Sequence, residues 1–72
     1  MKYVIKVIDQ DLFLYKERNI VKLVPLVKTT LYNTTGSASV ALKSDNCKIW
    51  LQIDYHMQIE QLEIRPVTLI LQ

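Results

Sequence analysis

A single cysteine, Cys47, and a single histidine, His56, set the first limits on this chain of 72 residues. One thiol cannot close a disulfide within the chain. One thiol with one imidazole falls short of the four ligands of a structural zinc site. Gly36 is the only glycine. There is therefore no glycine-rich loop to cradle a phosphate, and Ser37 lacks the G-x-S-x-G turn that presents a nucleophilic serine. No apolar run approaches the ~18 residues of a membrane span. The opening MKYVIKVID is too charged, and its apolar stretch too short, for a secretory signal. A cytoplasmic location without membrane association is expected. A dominant charge is also lacking: nine Lys and Arg stand against seven Asp and Glu, with no block of either sign.

What the chain does have is apolar residues, half of the total. A domain of this length buries only about 60% of the surface its unfolded chain exposes, so its stability margin is thin. Compensation must come from a dense core, a partner subunit, or both. One domain over residues 1–72 is expected. The segment QLEIRPVTLILQ carries Val67, Leu69, Ile70 and Leu71 with no charge after Arg65. Its composition predicts a structural strand, part of which lies in an interface.

Tyr3 to Ile8 is β-branched and aromatic, a strand signal, with Tyr3, Ile5 and Val7 assigned to the core face. Asp9-Gln10-Asp11 marks a turn, and Leu12 to Lys16 a second strand forming a hairpin with the first. After Glu17-Arg18-Asn19, the run Ile20 to Val27 resumes a strand that Pro25 limits to an edge or breaks. Asn33-Thr34-Thr35 fits a glycosylation acceptor, but without a secretory signal it reads as a turn and helix cap. Thr34 or Thr35 caps a short helix with Ala38, Ala41 and Leu42 on one face and Val40 beside it, ended by Ser44 to Asn46. Lys48 to Asp54 alternates Ile49, Leu51 and Ile53 against Trp50 and Gln52, which reads as a strand. Ile59 to Leu71 reads as a long or two-part strand interrupted by Pro66. The expected fold is α+β: an antiparallel sheet of about five strands in the order β-β-β-α-β-β, with one helix across one face. One short helix cannot cover such a sheet, so Val4, Ile8, Phe13, Tyr15, Trp50 and Leu71 are left to meet a partner.

Catalytic chemistry is poorly supplied. Cys47 and His56 fall at opposite ends of an expected strand of about 23 Å, too far for a thiolate–imidazole pair. Asp9 and Asp11 lack the further oxygen ligands and the glycine of a calcium loop. The Asp54-Tyr55-His56 triplet alone specifies nothing. No enzyme activity, cofactor or metal is expected. Phe13, Tyr15, Trp50 and Tyr55 are candidate partner-binding residues, because large aromatics with polar tips dominate interface hot spots. An exposed strand edge would also support a two-fold homodimer. The alternative is a small nucleic-acid-binding protein stacking bases on sheet aromatics, with Lys6, Lys16 and Lys48 as contacts.

The stretches KYVIKVIDQDLFLYKER, KTTLYNTTGSASVAL and IEQLEIRPVTL resemble small accessory proteins of phages and prophages of Gram-positive bacteria. In that pattern a strand hairpin precedes a Thr–Leu–aromatic segment, a small alanine-bearing helix and a closing strand with an Ile/Val–Pro signature. The resemblance implies an early or unassigned phage protein, acting in the host cytoplasm by binding and modulating a host or defence protein. A structural or assembly role in a virion is the remaining alternative.

Overall fold

The computed structural model describes residues 2–18 and 20–67. Strands β1 (Lys2–Val7), β2 (Phe13–Glu17) and β3 (Ile20–Val24) come first. A single 3-10 turn, Leu26–Lys28, leads to helices α1 (Thr35–Leu42) and α2 (Asp45–Tyr55). A second 3-10 turn, Ile59–Gln61, precedes β4 (Leu62–Val67). The strands form one antiparallel sheet in the order β3-β2-β1-β4. The class is α+β as expected, but the described residues form four strands instead of about five and two helices instead of one.

The extra helix replaces the strand expected at Lys48 to Asp54. Alternating Ile49, Leu51 and Ile53 imitates a period of two, yet the buried set is Cys47 and Leu51, with Tyr55 half-buried one turn further on. That spacing of four is helical. Ser44 starts α2: its hydroxyl accepts from the Cys47 amide (3.3 Å) and donates to the Ala41 carbonyl (2.9 Å). One side chain thus closes α1 and caps α2. At the far end His56 takes a left-handed conformation (φ 53°) and donates its amide to the Gln52 carbonyl (3.2 Å). The β-branched residues of α2 cost only a few tenths of a kcal/mol each in helix propensity, which burial of Leu51 outweighs.

Both helices lie on one face, α1 against β1 and β4 and α2 against β3. Between helices and sheet sits a core of Ile5, Val7, Leu14, Val21, Leu62, Ala38, Cys47 and Leu51. Ile5 and Val7 therefore point as strand alternation predicts, and Leu62 and Ile64 of β4 follow the same rule. Thr34 caps α1, accepting from the Ser37 amide at 3.0 Å, also as expected. Pro66 pairs with Tyr3 in β4, an edge strand, where its missing N–H is tolerated. Leu69, Ile70 and Leu71 lie outside the described residues.

The sheet is split between β1 and β2, which share one registered pair, Lys6 with Phe13. Beyond it the Thr29–Tyr32 segment takes the place of direct pairing. The Thr29 hydroxyl donates to the Leu14 carbonyl (2.7 Å). Thr30 Oγ1 accepts from the Lys16 amide (2.9 Å) and donates to the Lys16 carbonyl (3.2 Å). Tyr32 exchanges backbone bonds with Tyr3 at 2.8 and 2.9 Å. Threonine side chains here complete a ladder that backbone alone leaves open.

The β2–β3 hairpin turns through Arg18, at φ 54°, between the paired Glu17 and Ile20. A Cβ in this region costs about 1–2 kcal/mol, and glycine removes that cost at some expense in chain entropy. Arg18→Gly is expected to raise stability by about 0.5–1 kcal/mol, read as a higher urea midpoint at unchanged slope.

Candidate interaction surfaces

The second helix redistributes the residues singled out in the sequence. Trp50 points outward from α2, together with Ile49 and Ile53 one turn apart. Their exposures are 38%, 51% and 59%, and Ile20 on the edge strand is 48% exposed. Ile20 and Trp50 line a shallow hollow of about 170 Å³ with Val21, Lys22 and Asp54. Ile49 and Ile53, read in the sequence as strand residues, are thus exposed residues of a helix. The helical spacing of Cys47, Leu51 and Tyr55 behind the Ser44 cap is the signal that places them there.

Phe13 and Tyr55 leave the contact set. Phe13 is buried at the start of β2. Tyr55 is half-buried, and its hydroxyl oxygen accepts the Leu23 amide at 3.0 Å. Leu23 sits in β3, and this amide points away from β2 toward the open edge. Tyr55 therefore seals part of the edge that strand addition would need. Tyr15 lies on the sheet face turned away from the helices, with its hydroxyl donating to the Glu17 carboxylate. That bond pushes the Tyr15 phenol above its ordinary value.

The structure does not bring Lys6, Lys16 and Lys48 together. Lys6, paired with Phe13, is on the open sheet face, and its ammonium donates to the Val7 carbonyl at 2.9 Å. Lys16 shares the parity of buried Leu14 and faces the helix side. Lys48 is on α2, beside a hollow it shares with Gln52, Met57 and Glu60. Cys47 and His56 are likewise apart, at opposite ends of α2, about 13 Å along its axis. Burial pushes the Cys47 thiol above its ordinary value, opposed by the charge of Lys16. The thiolate that nucleophilic chemistry requires is thereby disfavoured. Among the described residues no three His, Cys, Asp or Glu side chains cluster as metal ligands, and no helix is long and apolar enough to cross a membrane.

No family model, curated protein or solved structure matches the chain.

Burial also raises the Tyr32 phenol above its ordinary 10.0, as it raises Cys47 above 9.0. Both groups fold in their neutral forms. Their contribution is complete below the unfolded values and is lost as pH rises through the higher folded ones. Thermal melts between about pH 8 and about pH 11 are expected to show a falling Tm on the alkaline side. A flat profile would contradict the burial of both groups.

Proposed function

We propose that the chain is a non-enzymatic accessory protein of the phage type, which binds a host or defence protein and alters its activity. The phage setting rests on the sequence resemblance. The binding role is supported by one observation: exposed Trp50 and Ile20 line one hollow at the β3 edge, and Ile49 and Ile53 are exposed on the same helix as Trp50. Contiguous exposed apolar surface of this kind marks interaction sites, and tryptophan leads the residues that dominate them. Lys22 and Asp54 at its rim offer charges of both signs for orientation. Since Tyr55 occupies the Leu23 amide, docking is through side chains of α2 and Ile20, with added strand pairing secondary.

Ile53→Asp tests this reading, because the site is exposed and the substitution leaves the core untouched. Wild-type and variant proteins would be used to capture partners from a nuclease-treated lysate of Gram-positive bacteria. A stoichiometric host protein retained by wild type and lost with the variant is the expected result. Equal capture by both would count against the patch. A homodimer, expected from the sequence, is proposed as a competing use of the same surface. A dimer dissolved by Ile53→Asp in light scattering would assign the patch to a second copy and overturn the host-protein reading.

A further inference from the structure

The charge of the chain is unevenly placed. Strand alternation and register put Lys2, Lys6, Lys22 and Arg65 on the sheet face opposite the helices. Lys28 joins them, lining a groove of about 550 Å³ with Tyr15, Lys22 and Val24. Five of the nine Lys and Arg residues thus share a face on which strand register places only two of the seven carboxylates, Glu17 and Glu63. Both carboxylates are occupied: Glu17 accepts from Tyr15, and Glu63 pairs with Arg65 at 3.6 Å. No carboxylate lines the groove.

We propose that this face binds single-stranded nucleic acid, with Tyr15 as the stacking platform for one base and Lys22 and Lys28 as phosphate contacts. An aromatic ring flanked by cations in a shallow groove matches an unstacked base with phosphates on either side. A duplex hides its ring faces, and among the described residues both α-helices pack on the other side of the sheet, away from this groove. The proposed face shares Lys22 with the rim of the Trp50 hollow, but Tyr15, Val24 and Lys28 do not line that hollow.

The test is fluorescence anisotropy with a labelled oligothymidylate of about 12 nucleotides, within the span one small domain covers. Binding is expected to weaken with salt, and the Lys22→Glu/Lys28→Glu double variant to lose at least about tenfold in affinity and about 1.4 in the log–log salt slope. Tyr15→Leu is expected to lose about tenfold. Lys48→Glu, on α2, should change affinity no more than about twofold. Ile53→Asp should leave binding unaltered, which separates this surface from the protein-docking one. Circular dichroism confirms that each variant is folded. No binding at low salt, equal affinity for a duplex, or a Lys48→Glu loss matching the double variant would each overturn the proposal.

Discussion

Leu51→Ala is expected to remove most of the stability of this domain, while Ile53→Ala two residues away changes it little. Leu51 is fully buried between α2 and the sheet, in the same cluster as Ile5, Leu14 and Val21. Truncating a buried leucine costs about 3–5 kcal/mol, the lost transfer energy plus the cavity left behind. Domains of this size are stable by only about 4–10 kcal/mol. The urea midpoint should therefore fall by about 2–4 M, or the variant should be unfolded in water. Ile53→Ala, at an exposed site, should stay within about 0.5 kcal/mol of wild type. The contrast also distinguishes helix from strand. Were residues 48–54 a strand, Ile49, Leu51 and Ile53 would share one face and the substitutions would cost similar amounts.

Thr30→Val is the second large effect, expected to cost about 1–3 kcal/mol although the side chain keeps its shape. The lost hydroxyl accepts from the Lys16 amide and donates to the Lys16 carbonyl. Both backbone groups are stranded by the substitution, in a partly buried setting where water only partly replaces the threonine. Thr29→Val, which removes one bond to the Leu14 carbonyl, should cost about half as much. Amide hydrogen exchange at Lys16 provides the check. Its amide should lose protection in Thr30→Val and keep it in Thr29→Val. Equal protection in all three proteins would mean that β1 and β2 pair directly, without the inserted segment.

The first half of the fold was legible because its signals are local. β-branched runs, an Asp-rich turn and a threonine cap each act within a few residues, and β1 to β3 and α1 follow them. α2 was not legible, because Ile49, Leu51 and Ile53 satisfy strand alternation while Cys47, Leu51 and Tyr55 satisfy helical spacing. Only packing against β3 decides between them. The split between β1 and β2 was hidden for a different reason: it depends on Thr29 and Thr30 reaching strand β2, about 15 residues back in sequence. The site inherits both uncertainties. Trp50 was legible by residue type alone, but its neighbours Ile49 and Ile53 emerge only once the helix is known. The proposed lysines changed because Lys16 and Lys48 face away from the aromatic side of the sheet, whereas Lys22 and Lys28 flank it.

The central position of β1 has a consequence for synthesis. β1 is made well before β4, yet β4 is its most extensive partner, with Lys2 paired to Val67. Hairpins and short helices emerging before Leu62–Val67 bury too little to persist alone. A nascent chain halted at residue 61 should therefore remain open to protease, and protection should arrive abruptly once β4 has left the ribosome.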